Sequence, residues 1–288
     1  MDKRGINHLI NDLDLLESLS KAYATISSER MKKVRGEVIS SRDFLLSLGE
    51  IFREVRASFK RDIKKLGKKS KTGSITFIPH NGKTASVLLS ANTGLYGDIV
   101  PKTFRMFAEE IRRSGTEAAI VGKLGLSYFL SEFDDAPYSY FDFPDYGTSR
   151  ENFAKLIAHL VQYDEIHIFY GKFKSLIHQE PEMYNISAQN PLAETGNLNE
   201  KNLPKYLFEP SIEDLLVFFE TEMFGSLFEQ AISEGQLAKF ASRMMSMDKA
   251  SQRVKDELKK AKILKLKLLH SESNKKIINT FASLSLWR

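Results

Sequence analysis

The sequence contains no cysteine, only one tryptophan, and no proline before Pro79 or after Pro210. Without cysteine there is no disulfide and no thiolate metal site. No apolar run reaches the roughly 20 residues needed to span a bilayer, so no direct membrane insertion is expected. Residues Met1 to Ile6 lack the apolar core and small-residue cleavage site of a signal peptide, and a cytosolic location is the expectation. Because proline interrupts helices, its confinement divides the chain into a 1–71 N-terminal arm, a 72–210 middle and a 211–288 C-terminal arm.

The charge is only modestly one-sided, 42 basic against 37 acidic residues and a formal +5. That excess suits an acidic protein, an anionic membrane or nucleic acid equally well. The densest basic run, Lys60 to Lys71, has no aromatic residue after Phe59 on which a base could stack. It reads as a solvated helix end, and no nucleic-acid partner is expected.

Both arms carry helical patterns. Ser211, after Pro210, is placed to cap a helix with Asp214 at the reciprocal position. From there Leu237, Phe240, Met244, Met247, Ser251, Val254, Leu258 and Ala261 follow the three-and-four spacing of a coiled-coil seam. In the N-terminal arm Leu9, Leu13, Leu16, Ser20, Tyr23, Ser27 and Arg30 repeat it. The two arms should therefore pair as an antiparallel coiled coil, with Leu9 to Lys71 as two helical segments about a soft point at Gly36, and with either a bend or a close approach to the backbone at Gly225 and Gly235.

The middle alternates strand-like and helix-like segments. Ile75–Ile78 and Ala85–Ser90 flank Asn81-Gly82, which reads as a hairpin turn. Helix-like Lys102–Ser114, strand-like Ala118–Gly122, an aromatic and acidic loop over Phe133–Tyr146 with a short strand, helix-like Asn152–Gln162 and strand-like Glu165–Tyr170 follow. The alternation predicts a Rossmann-like open α/β sheet with right-handed crossovers.

No catalytic constellation emerges. Gly82-Lys83-Thr84 ends like a phosphate loop, but Phe77 stands where the first glycine is required. Gly94-Leu95-Tyr96-Gly97 lacks the third glycine and the acidic ribose partner of a dinucleotide site. Asp134, Asp135, Asp142 and Asp145 match no calcium loop, and His159, His167 and His178 lie at no ligand spacing. No cofactor, no metal and no enzymatic activity are expected.

Four motifs, in one order, carry a resemblance over nearly the whole chain. They are Ser18–Tyr23 with Arg30–Lys33, then Ala91–Gly97, then Tyr163–Ser175, and finally Glu209–Leu216 with Ala241–Met247. Together they resemble the gamma subunits of F-type ATP synthases, whose patterns are K-I-T-K-A-M with K-M-R-K, G-L-C-G, Y-D-x-V with Y-x-x-F-x-S, and E-P-s-x-x-x-L-L with A-x-R-M-x-A-M. The chain departs from them at Ala238-Lys239, Ser251–Val254 and Leu269–Asn274.

The resemblance implies a central rotor shaft, a long coiled coil with an α/β domain, turning inside a ring of alpha and beta subunits. It would bind the epsilon subunit and the membrane c-ring and act on the cytoplasmic side of the membrane without catalysing anything itself. Ring contacts implied by it are Tyr23, Arg30, Lys32, Lys33, Arg243, Met244, Met247, Lys255, Lys259, Lys262 and Trp287, with beta subunits presenting an acidic lever segment. The seam residues are Leu9, Leu13, Leu16, Leu237, Phe240, Val254 and Leu258. Two other readings stay open: a small-ligand-binding α/β protein with its site near Gly94 to Asp98, and a coiled-coil adaptor unrelated to ATP synthase.

Overall fold

The computed structural model describes residues 3–58, 81–147, 149–187 and 212–285. Ser211 and its cap, the Lys60–Lys71 run, the Ile75–Ile78 segment and Trp287 lie outside them. The chain forms two compact units, one of residues 1–28 with 243–288 and one of residues 29–242. Two long helices, α1 (Lys3–Ser58) and α5 (Ile212–Ser285), contribute to both.

The larger unit is built on a five-stranded sheet of order β3-β2-β1-β4-β5. Its elements run β1 (Thr84–Leu89), α2 (Ile99–Ser114), β2 (Glu117–Val121), α3 (Lys123–Glu132), β3 (Tyr138–Phe141), α4 (Arg150–Leu160), β4 (Glu165–Phe173) and β5 (Gln179–Ser187). Strands β1 to β4 are parallel, and β5 returns antiparallel beside β4. Helices on both faces explain why these strands read as apolar runs rather than alternating ones. Leu88, Ile120 and Phe169 point into one layer with Phe104, Phe107 and Phe129 of α2 and α3. Val87, Leu89, Ile166 and Ile168 point into the other, against Leu156 and Leu160 of α4 and Phe224, Leu227, Phe228 and Ile232 of α5.

Three expectations are corrected here. Strand β1 is central, with β2 along one edge and β4 along the other, so the hairpin pairing expected of Asn81-Gly82 has no edge to use. Gly82 does take the positive φ of a turn, +74°, but the turn is tied to the α4–β4 connection through Asn81 N–H to Gln162 O and Asp164 N–H to Lys83 O. Helix α1 runs unbroken through Gly36, and α5 through Gly225 and Gly235. At Gly235 the other alternative holds, a close approach: a Cβ there would stand 3.6 Å from the Tyr170 Cβ. Strand β5, which carries Pro181 on the sheet edge, is an element the sequence reading lacked.

In this unit α5 is buried on every side from Ala231 to Ala238, because it lies between the sheet and α1. Leu237 and Phe240 therefore pack not in a two-helix seam alone but with Val34 and Val38 of α1 and with Ala91, Tyr96, Ile99 and Val100 of the α/β layer.

The smaller unit is an antiparallel helix pair. The Arg243 guanidinium lies over Tyr23, and Glu17 feels the charges of Lys255 and Lys262, so α1 numbers fall as α5 numbers rise. On α5 the seam holds Met247, Ser251, Leu258 and Ala261, all buried, and Val254, half-buried. On α1 the four-and-three stripe separates into its two heptad positions. Ile6, Ser20 and Ser27 are buried and Leu13 half-buried, spaced by sevens, whereas Leu9 (38% exposed), Leu16 (50%) and Tyr23 (40%) lie outside that row. The inner row combines two apolar side chains with two small serines. Leu9 and Leu16 are thus not closed in the seam expected of them.

Candidate functional site

In open α/β sheets a ligand sits beyond the carboxyl ends of the strands, at the point where strand order reverses. Here that point lies between β1 and β4, and the turn that leaves β1 is engaged by the chain's own groups from beyond β2 and β3. The turn after β1 is held by a carboxylate: Asp145 Oδ1 accepts from the Asn92 amide at 2.7 Å, and its Oδ2 accepts from the Thr93 amide at 2.9 Å and the Thr93 hydroxyl at 2.5 Å. Asn92 in turn donates to Asp142 and Phe143 O and accepts from the Lys123 amide. Burial raises the Asp145 pKa, but the Thr93 hydroxyl, the two amides and the charge of Lys239 outweigh it and hold the carboxyl below its ordinary range. An internal anion thus occupies the backbone amides that a phosphate would need. Asp145 is the one member of the acidic loop with this role, and sequence spacing gave no signal for it.

Helix α5 closes the rest of the crevice. Lys239 Nζ donates to Ser90 O at 2.6 Å, Ser242 Oγ to Tyr96 O at 2.7 Å and Gln236 Nε2 to Gly147 O at 2.9 Å. Between Ser90, Gly122, Gln236 and Lys239 a cavity of about 20 Å³ is left, the room of a single water rather than the several hundred Å³ of a cofactor site. Among the described residues no three His, Asp or Glu side chains gather as a metal site. His159 stacks near Phe141 and Tyr163, His167 lies between Glu110 and Glu165, and His178 meets Glu180, three separate settings.

The same region fastens α1. The Arg30 guanidinium lies over two rings that meet edge to face, 5.3 Å from the centroid of Tyr146 and 5.8 Å from that of Phe240. Further along, buried Glu234 accepts from Arg42 Nε at 3.0 Å and from its terminal nitrogen at 2.5 Å, and from Gln230 at 3.1 Å. Beside it the Tyr170 hydroxyl is held protonated, its pKa pushed far up by burial and by Glu234.

The residues expected to meet a ring are therefore not alike. Arg30 is engaged within its own unit, and Lys32 pairs with Glu29 on the surface. Lys33 is exposed, Arg243 and Met247 are buried in the helix pair, and Met244 is half-buried. Lys259 and Lys262 are exposed and Lys255 half-buried. A Lys21 hydrogen bond and the charges of Lys21, Lys255 and Lys262 keep the Glu17 carboxyl below its ordinary value. On α1 the outer row of Leu9, Leu16 and Tyr23 is exposed, as are Leu15, Leu19 and Ile26 beside it, and no described residue of α5 beyond Ala261 is buried.

A family model described as ATP synthase matches residues 3–267. The chain belongs to that family. Relatives named ATP synthase gamma chain include those of Pelotomaculum thermopropionicum, 23% identical over 88% of this chain and 87% of theirs, and of Pseudarthrobacter chlorophenolicus, 26% identical over 87% and 86%. In fold the chain is similar to a chain of the Euglena gracilis mitochondrial ATP synthase in a structure titled OSCP/F1/c-ring, with a TM-score of 0.63 at 17% identity, covering 99% of this chain and 95% of that one. A second similar chain comes from the Tetrahymena thermophila mitochondrial ATP synthase central stalk and c-ring, TM-score 0.56 at 19% identity, covering 81% and 99%. Two long terminal helices around a central, mostly parallel sheet are the shared architecture of this ATP synthase family member and its neighbours.

Proposed function

We propose that this chain is the central-stalk rotor subunit of an F-type ATP synthase, coupling ion-driven rotation of a c-ring to conformational change in an alpha and beta catalytic ring. The observation that carries the reading is α5, 74 residues without a break, paired antiparallel with a 56-residue α1. Helices of this length, about 111 and 84 Å at 1.5 Å per residue, suit the transmission of torque over a distance that no single globular domain spans. The family membership and the gamma-chain relatives agree with it.

The subunit is non-catalytic in this reading, and the crevice at the end of β1 is taken up by its own side chains. Tyr23, Lys33, Lys259 and Lys262, with the outer row of α1, face the alpha and beta subunits, and Trp287 lies beyond the described end of α5. The α/β unit meets the epsilon subunit and the c-ring on the cytoplasmic side of the membrane. Nothing in the described helices is long and apolar enough to cross that membrane. In this reading the 1–71 and 211–288 arms serve as the shaft and 72–210 as the domain at its base.

Reconstitution tests it. Alpha and beta subunits mixed with this chain should form a complex that hydrolyses ATP and turns a bead attached to the α/β unit in one direction. If the chain elutes apart from the ring and leaves its ATPase unchanged, the rotor reading is lost.

A further inference from the structure

We propose that Gln236, Lys239 and Ser242 form a torque-carrying joint that locks α5 to the α/β sheet, with Lys239 as its centre; the proposal rests on the rotor reading above. The three residues are spaced i, i+3, i+6 and so share one side of the helix. Each donates to the carbonyl of a different segment: Gly147 before α4, Ser90 at the end of β1, and Tyr96 in the turn that follows. The Lys239 charge also acts on Asp145, the carboxylate that pins Asn92 and Thr93, so one side chain engages both the strand end and the clamp around its turn.

Apolar contact resists separation but has no preferred direction, so a helix held to a sheet only by apolar contact slips under a sideways load. Hydrogen bonds weaken steeply once bent, and three of them aimed at separate segments oppose both sliding and rolling. Gln236 and Ser242 are only 4% and 5% exposed. An apolar side chain of similar volume at any of the three positions would leave a carbonyl without its donor, so each bond fixes the direction of α5 against the segment it meets as well as its distance.

The test separates transmission from folding. The pair Lys239→Met and Gln236→Leu keeps volume and removes two of the three bonds. In the assembled catalytic ring, with no load, ATP hydrolysis should stay within about twofold of the parent. In the complete complex in sealed vesicles, ions pumped per ATP hydrolysed should fall at least about threefold. The chain has no cysteine, and a Cβ at Gly235 would lie 3.6 Å from that of Tyr170, within disulfide range. Adding Gly235→Cys and Tyr170→Cys to the double variant should therefore restore the pumping ratio when oxidised and lose it again when reduced. A parental pumping ratio in the double variant overturns the joint, as does a fall in pumping that hydrolysis and thermal midpoint share in proportion. Absence of any ATP-linked rotation with the parent chain would instead strike the rotor reading itself.

Discussion

The Arg243 guanidinium carbon lies 5.9 Å from the centroid of the Tyr23 ring, although Arg243 is only 5% exposed in the smaller unit. A cation over an aromatic face in partly desolvated surroundings contributes about 0.5–2 kcal/mol. Replacing Tyr23 by Leu keeps most of the apolar area and removes the ring. We expect Tyr23→Leu and Arg243→Met to destabilise the isolated chain by less together than the sum of the two alone, with a coupling of about 0.5–1 kcal/mol in urea titrations. Strict additivity would show that the two side chains are merely neighbours.

The two rows of α1 make a second prediction. Leu258 is 7% exposed in the seam, whereas Leu16 is 50% exposed on the outer row. Leu258→Asp buries an unpaired charge and should cost several kcal/mol, with loss of helicity in circular dichroism. Leu16→Asp should stay within about 0.5 kcal/mol of the parent in the isolated chain yet weaken assembly with the alpha and beta subunits. Equal losses of helicity from the two changes would contradict the assignment of rows.

Acid should find the Asp145 clamp. The folded carboxyl is held below its unfolded value of about 3.9. Its contribution is therefore complete above that value and disappears as pH falls through the lower folded one. Asp145→Asn turns an amide N–H₂ toward donors and removes charge-assisted bonds worth roughly 1–3 kcal/mol at pH 7. The gap in thermal midpoint between parent and variant should be full at pH 6 and close progressively below about pH 4. A gap independent of pH would mean that shape, not charge, holds the turn.

Much of this was legible in the sequence because it rests on period and composition. Helix-length patterns without proline foretold α5 and the helical character of α1, though not its continuity through Gly36, and apolar runs between helices foretold β1, β2 and β4. The failures share a cause, that tertiary partners decide what local pattern leaves open. Asn81-Gly82 announces a turn, but only the parallel neighbours on both sides of β1 show that it closes no hairpin. Leu9 and Leu13 look equivalent in a heptad, and only the small serines at 20 and 27 select the row that faces α5. Asp145 and Asn92 stand 53 positions apart, a separation at which spacing carries no information. Arg30 was legible as a motif residue, yet its place over both Tyr146 and Phe240 joins three distant segments.

The last prediction concerns the basic band of α5. Between Arg243 and Lys267 nine basic residues face three acidic ones, a net +6. Lys259 and Lys262 are exposed, Lys255 is half-buried, Glu17 opposite feels Lys255 and Lys262, and Lys260 pairs with Glu257 on the surface. The net positive charge of the band suits an acidic lever segment of a surrounding ring. Exposed pairs of this kind contribute about 0–1 kcal/mol each and act over about 8 Å at physiological salt. Attraction spread over many weak pairs lets a shaft move from one lever to the next without desolvating either side. Lys259→Glu alone should then leave ATP hydrolysis of the assembled complex near parental. Reversing Lys255, Lys259 and Lys262 together should slow rotation severalfold, and the difference from the parent should shrink as salt rises, since screening removes the same term. If the triple variant assembles normally and turns at the parental rate at low salt, the band is only a solvated helix face, and the fit of the rod against the ring transmits the step by shape.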